Sequence, residues 1–460
     1  MHMAIDYLQS PIKEKAYSDN SYAFFDADVS SIFANIIGID FIENGNSAAR
    51  ESWQKRQLTN LLRHAHARSS FWRKRLPTRF ISHEAFKFLP ALARFELASQ
   101  VQTEGSLVQP GPAGWVQINR TTGSTGQPLE IYTSAESAFY NNIRSLAQYF
   151  FNNLRLDENR VQIKPARQAA KLLKSEQSTR RSEYWAGPLS KVYLNGSNKE
   201  VIYVNDNDAL IRELKKDNIG YLVSPSRYVE MLFDYGGEDL IKNLGIKLWL
   251  HVSDYRSPEI VEALKRLGVP CFSNYSSDEV GPIAFECQHY PNVYHVAHTN
   301  VIVEEDKSLQ VDFEDVKLNR LLITHLHSYA SPIIRYDIGD FGSLTNGCPC
   351  GHNGPTLRNI YGRGKHFLRH PNGTIVPFYL STRALREVSN FQECRIRQTE
   401  IDTIVVELGG RDELDEREKD KIKNLINSVT DHAFKIEIKT AVKIDWSDSP
   451  KRLFFSSLVM

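Results

Sequence analysis

Asn119-Arg120-Thr121-Thr122-Gly123-Ser124-Thr125-Gly126-Gln127-Pro128 is the stretch on which the reading of this 460-residue chain turns. Two glycines and four hydroxyl residues occupy the six positions from Thr121 to Gly126. Such a loop can turn several backbone N–H groups toward one anion, while its hydroxyls add donors for phosphate oxygens. It is not the GxxxxGK[ST] loop, because Gln127 and not a lysine follows the second glycine. Trp115-Val116-Gln117-Ile118 before it and Leu129-Glu130-Ile131-Tyr132 after it read as strands, which predicts a hairpin wrapped around the loop.

Composition narrows the partners. Lys and Arg number 56 against 55 Asp and Glu, a formal charge of +1, so no global field draws in nucleic acid or an anionic membrane. The basic run from Lys171 to Arg181 is interrupted by Glu176 and reads as a solvated face. No apolar stretch reaches 18 residues and no basic-then-apolar leader opens the chain, so the expectation is a cytoplasmic protein with neither membrane nor nucleic-acid partner. Five cysteines make no disulfide framework, and Cys348-Pro349-Cys350 points to metal or thiol chemistry.

The expected fold class is α/β followed by α+β. Residues 1 to 50 show no clear period, whereas Glu51 to Lys74 and Ser134 to Leu154 carry helical spacing, with short helices around Pro90 between them. From Val192 to Leu267 short apolar strands alternate with amphipathic helices, and Leu222-Val223-Ser224-Pro225 and Trp249-Leu250-His251-Val252-Ser253 are strand ends of the kind that hold ligands in open α/β sheets. Antiparallel strand material predicts a second sheet or small barrel near 290 to 345. A boundary falls near Gly362-Arg363-Gly364-Lys365, giving a large unit over 1–362 and a small α+β unit over 363–460.

Four more segments stand in order behind the loop: Tyr275-Ser276-Ser277-Asp278-Glu279, Pro332 to Asp340, Gly362-Arg363-Gly364-Lys365-His366 and Ser449-Pro450-Lys451-Arg452. With Thr121 to Pro128, and over roughly residue 50 to the C-terminus, they resemble the adenylate-forming (AMP-binding) superfamily. Within it the likeness is to the phenylacetate-CoA ligase-like branch that includes the capsular polysaccharide CapK group. The resemblance implies a large multi-sheet N-terminal domain and a small mobile α+β lid. It implies that Thr121, Thr122, Gly123, Ser124, Thr125 and Gly126 hold the ATP phosphates, with Thr125 also taking part in catalysis. Tyr275 and Ser276 would lie at the nucleotide, Tyr275 near adenine, and Glu279 would hold Mg2+ beside the phosphates. Asp340 would accept from the ribose hydroxyls, Arg363 would reach ribose or phosphate, and Lys451 would offset charge as the carboxylate attacks the α-phosphate. Arg335 would orient its loop or approach the nucleotide, with pairing to Asp337 or Asp340 as the plainer role. Ser276, Asp278, Ile338, His366 and Pro450 depart from the family pattern, as does Ser253-Asp254 where a Gly-Glu pair is usual.

The implied activity is ATP-dependent activation of an aryl or otherwise apolar carboxylic acid to an acyl-adenylate, with release of pyrophosphate and transfer to CoA or a carrier-protein thiol. Amide formation, or nucleotide binding by a catalytically impaired protein, are the alternatives, and a homodimer is compatible with such a chain. Cys287 with His289 or His295, together with Cys348 and Cys350, offers three thiolates and one imidazole for a tetrahedral structural zinc. His352 is a further candidate ligand, and the resemblance favours His295. Cys271 and Cys394 read as ordinary buried small residues. His325 and His327 share one side of a strand but have no third ligand in view, and ordinary polar contacts are expected of them.

Overall fold

The computed structural model describes residues 27–76, 78, 82–110, 116–121, 129–165, 179–203, 206–254, 256–313, 316–362, 367–378, 380, 382–430, 433–446 and 454–459. The expected hairpin is present: β1 (Val116–Thr121) and β2 (Leu129–Ser134) pair antiparallel, with Thr121 opposite Leu129. Leu129 and Ile131 send their side chains into the largest core, which anchors the hairpin by one face. Tyr132 N–H donates to Ser331 Oγ at 3.0 Å, tying it to the segment before Pro332.

Twelve strands then form one hydrogen-bonded sheet. They are β3 (Arg160–Pro165), β4 (Thr179–Ser182), β5 (Asn198–Tyr203), β6 (Tyr221–Ser224), β7 (Leu248–Val252), β8 (Cys271–Ser277), β9 (Gly281–Glu286), β10 (Val293–Val296), β11 (Val301–Phe313), β12 (Val316–His325), β13 (Tyr336–Asn346) and β14 (Pro355–Tyr361). The spatial order is β11-β12-β13-β14-β10-β9-β8-β7-β6-β3-β5-β4. Strands β5, β3, β6, β7 and β8 run parallel, and every pairing from β8 to β11 is antiparallel. The 290–345 strands therefore do not form a hydrogen-bonded sheet of their own: the β9-β10-β14 ladder carries them straight into the parallel part.

Helices α1 (Ala27–Glu43), α2 (Ser47–Arg68), α3 (Ser70–Arg75), α4 (His83–Phe86), α5 (Arg94–Glu104) and α6 (Ala135–Phe151) precede the parallel strands. α1 lies where the sequence showed no period. Its Val29, Ile32, Ile36 and Ile39 are buried while Ile37 and Phe41 are exposed, so apolar residues circle the helix and blur the stripe. The single helix expected over 51–74 breaks at Ser69, which has extended backbone and caps α3 by accepting from Trp72 N–H at 3.0 Å. Helix α6 follows the expected spacing, burying Ile143, Ala147 and Phe150. Its Arg144 forms a buried ion pair with Glu43 of α1 at 2.6 Å, a contact whose one-sided removal costs about 3–5 kcal/mol.

α7 (Asn207–Leu214), α8 (Ser226–Leu244) and α9 (Pro258–Arg266) connect the parallel strands, which are covered on both faces and so read as continuous apolar runs such as the fully buried β6. Val192 to Leu194, taken as a strand in sequence, instead follows a 3-10 turn over Gly187–Lys191. The C-terminal part has a β15 (Phe367–Arg369) and β16 (Ile375–Pro377) ladder. It also has α10 (Thr382–Val388), β17 (Glu393–Glu400), β18 (Thr403–Gly409), α11 (Glu416–Thr430), β19 (Lys435–Ala441) and β20 (Phe455–Ser457), with sheet order β19-β18-β17-β20. Its core, including Ile396, Ile404, Val406, Ile422, Ile426 and Phe455, is separate from the cores under the long sheet. Among the described residues no helix is long and apolar enough to cross a membrane.

Candidate functional site

The carboxyl ends of β6, β7 and β8 open into a cavity of about 2800 Å³, closed on the far side by residues such as Phe391, Trp446 and Phe455 of the C-terminal part. Segments far apart in sequence converge on it. Tyr275, on β8, donates its hydroxyl to Asp340 Oδ2 of β13 at 2.8 Å. A Cβ built on Gly362 would lie 3.7 Å from Asp340 Oδ1, so the chain passes close by this carboxylate immediately before Arg363. Glu279, in the turn after β8, is buried and pairs with Arg94 Nη1 at 2.6 Å.

Arg94 has no motif to mark it in the sequence, and backbone pairing explains how it arrives. Leu92 N–H donates to Arg335 C=O at 2.8 Å and Asp337 N–H to Leu92 C=O at 3.0 Å, so the entry to α5 runs beside the start of β13. The next turn carries Arg94 to Glu279 and, at 3.5 Å, to the Tyr336 hydroxyl. Burial works against the Arg94 charge, but Tyr336 and Glu279 outweigh it and hold the guanidinium above its ordinary pKa.

Arg335, expected to orient its loop or approach the nucleotide, or more plainly to pair with Asp337 or Asp340, pairs with Glu304 at 3.1 Å and donates to Leu89 C=O. Asp337 takes Arg320 at 2.6 Å, so Arg335 shapes its loop and leaves Asp340 to Tyr275. His251 is buried, with Nδ1 2.9 Å from Ser273 Oγ and Nε2 3.0 Å from Asp254 Oδ1. That Asp254 oxygen also accepts from Ser226 N–H at 2.8 Å at the start of α8, where a carboxylate suits the helix dipole. Ser253 is held at φ 80°, a left-handed backbone in the place where glycine is the cheaper residue.

A second cluster lies where the β9-β10 and β13-β14 connections meet. Ligand atoms of Cys287, His295, Cys348 and Cys350 all fall within 4.8 Å of one another. Cys287 and Cys348 Sγ are 3.8 Å apart, and Cys350 Sγ is 3.5 Å from His295 Nε2. A tetrahedron with bonds of about 2.3 Å has edges of about 3.8 Å, so these four groups fit a zinc ion. Burial and the charge of Arg144 press the His295 pKa down to about 4, which keeps its imidazole in the neutral, ligating form. His352 is not among the four: it stacks on His295 at 4.1 Å and turns Nδ1 to Asn44 Oδ1 at 3.1 Å. His289 is likewise outside the group.

His325 and His327 do not join a metal group. His327 Nε2 lies 2.9 Å from Thr299 C=O and its ring stacks on Tyr140, and among the described residues no other cluster of three or more ligands occurs. Cys394 is buried as expected, while Cys271 is only half-buried, lines the cavity and takes a contact from Arg256 Nη1 at 3.6 Å. Of the loop only the Thr121 backbone is in view. Thr122, Gly123, Ser124, Thr125, Gly126, Arg363 and Lys451 lie outside the described residues, as do His366 and Pro450. Beyond Lys451 the chain is fastened, Ile396 N–H donating to Phe454 C=O at 2.7 Å and β20 pairing with β17.

No protein-family model matches the chain, and no curated relative does. Solved structures do. A 2-hydroxyisobutyryl-CoA ligase in the postadenylation state, in complex with 2-HIB-AMP, superposes with a TM-score of 0.64 at 15% identity over 88% of this chain and 89% of that one. The same ligase in complex with 2-HIB-AMP and CoA gives 0.56 at 17% identity in the thioesterification state, covering 91% and 92%, and 0.55 at 16% in an open conformation, covering 88% and 90%. At these identities the likeness speaks for architecture: the chain has the fold of AMP-forming, adenylate-forming ligases.

Proposed function

We propose that the protein activates a carboxylic acid with ATP, forming an acyl-adenylate and pyrophosphate, and passes the acyl group to the thiol of CoA. The observation that carries this reading is the meeting of Tyr275, Asp340, Glu279 and the chain before Arg363 at one cavity. Support comes from the ligase whose fold it shares, solved with an acyl-AMP and with CoA. The units over 1–362 and 363–460 act in this reading as an adenylating body and a lid. The residues of the 121–126 loop cradle the phosphates through backbone N–H groups. Tyr275 and Ser276 flank the nucleotide, Asp340 accepts from ribose, Arg363 reaches ribose or phosphate, and Lys451 offsets charge on the α-phosphate as the acid attacks.

Glu279 is a buried carboxylate beside the Arg94 cation and would serve as an oxygen ligand for Mg2+. Bound there, Mg2+ supplies charge screening for the phosphates. Arg94 keeps Glu279 oriented and limits the share of that carboxylate an ion receives. Zinc at Cys287, His295, Cys348 and Cys350 is structural, since four protein ligands leave no open position. The test is acid-dependent pyrophosphate exchange, with mass-spectrometric trapping of the acyl-adenylate in the absence of an acceptor. ATP binding without exchange across a broad acid panel would leave only a nucleotide-binding protein, a reading the departures at Asp278, Ile338, His366 and Pro450 keep in play. Supplying CoA, a carrier protein or an amine then decides the acceptor.

A further inference from the structure

The part of the cavity floor nearest Tyr275 is not the apolar slot that an aryl acid would want. Strand register places Gln162, Val223, Leu250 and Phe272 in one row across β3, β6, β7 and β8. Side chains two residues on return to the same face, so Asn274, beside Val252, continues that surface toward the strand ends. Helix α6 lies over it. Tyr149 of that helix packs with Val223 and Leu250, and Ser145 and Asn142 stand one and two turns earlier on the same helix face. Asn142, Ser145, Gln162 and Asn274 all line the cavity, alongside Val252 and Phe272.

The amides of Asn142, Gln162 and Asn274 make no side-chain hydrogen bond among the described residues. Each therefore turns a donor and an acceptor toward the cavity. Three strand spacings of about 4.8 Å separate β3 from β8, so Gln162 and Asn274 stand about 14 Å apart, with Val223 and Leu250 between them packed under Tyr149.

Resting on the adenylation reading, we propose that the acid is a hydrogen-bonding one, carrying hydroxyl or amide groups along its acyl portion, and not an aryl or alkyl acid. Asn274 meets such a group close to the reacting carboxylate, Asn142 meets it from α6, and Gln162 takes one at the far end. A site built to hydrogen-bond its substrate rejects the isostere that lacks the group, because the site's own polar atoms then lose their partners. An apolar acid would strand the half-buried amides of Gln162 and Asn274.

The experiment measures acid-dependent pyrophosphate exchange with matched pairs of equal length, hydroxylated or amide-bearing against alkyl or aryl. The expected result is a kcat/KM at least about tenfold higher for the polar member. Equal or better turnover of the apolar members overturns this proposal and leaves adenylation standing; no exchange with any member overturns both. Asn274→Leu and Gln162→Leu should each shrink the polar-to-apolar ratio to within about threefold. Because that ratio is read within one preparation, partial loss of folded protein cancels, and an unchanged ratio in both variants removes these residues from the acid site.

Discussion

The two polar clusters of this molecule handle charge in opposite ways. Around Glu279 and Asp340 the anions already have protein partners: Arg94 stands 2.6 Å from one carboxylate, and the Tyr275 hydroxyl 2.8 Å from the other. Around Cys287, His295, Cys348 and Cys350 the ligand atoms crowd one another, with burial pushing the Cys287 thiol up and the Cys350 thiol to about 12. The first cluster is arranged before any ligand arrives, and a ligand has to share groups that are engaged. The second is four donors crowded together, where a divalent ion would supply the opposite charge that these neighbours do not. Ligand removal should therefore barely disturb the first and should loosen the second.

Metal removal gives the largest expected effect. The purified protein should hold about one zinc per chain by elemental analysis, and a strong chelator or Cys348→Ser should remove it. Hydrogen exchange over 287–295 and 348–354 should then speed up by on the order of 100-fold, while that of β8 and the start of β13 changes little. Equal acceleration in both places would erase the contrast. Glu279→Ala comes next. It strips the carboxylate and leaves Arg94 without that partner, so pyrophosphate exchange should fall by on the order of 100-fold with the zinc content untouched.

The two clusters also differ in how much of them the sequence disclosed. Cys287, His295, Cys348 and Cys350 are the group the structure assembles, because ligand chemistry restricts residue types and short connections keep them close. Asp340 and Tyr275 were legible as separate motif residues, but their mutual hydrogen bond was not, since it joins strands 65 residues apart. Arg94 was invisible for the same reason, its position being set by the pairing of Leu92 with Tyr336. In the fold, the parallel strands and the C-terminal α+β part followed from periodicity. The continuity of the long sheet did not, because β10 meets β14 across a gap that no local pattern encodes. Helix α1 failed from the opposite cause, an excess of apolar residues that hid its buried face.

The buried histidine at the β12 end offers a finer probe of the same contrast, since among the described residues its Nε2 has no hydrogen-bond partner and it joins no metal-ligand group. Burial presses the His325 pKa down from the ordinary value near 6.5 to about 3, with His327 adding to the effect. Between those values the unfolded chain binds a proton that the folded chain refuses, so the stability is complete above pH 6.5 and drains away as pH falls toward 3. One such group costs about 1.4 kcal/mol per pH unit in that window. Denaturant unfolding at pH 7.5 and 5.5 should differ by about 1 kcal/mol more in the native chain than in His325→Gln. An unchanged difference would mean that the imidazole charges without penalty.

Tyr275→Phe is the most discriminating change. It keeps the ring that the reading places near adenine and removes only the hydroxyl donated to Asp340 Oδ2. A hydrogen bond to a charged group of this kind contributes about 1.5–3 kcal/mol, or roughly a ten- to hundredfold effect. If the bond serves to hold Asp340 in place for ribose, it does so equally in the ground and transition states. The KM for ATP should then rise by about that factor while kcat stays within about twofold. A fall in kcat with KM unchanged would put Tyr275 at the reacting carboxylate and not at the nucleotide. In that event the first cluster would be part of the chemistry, and its internal pairing would have to break during each turnover.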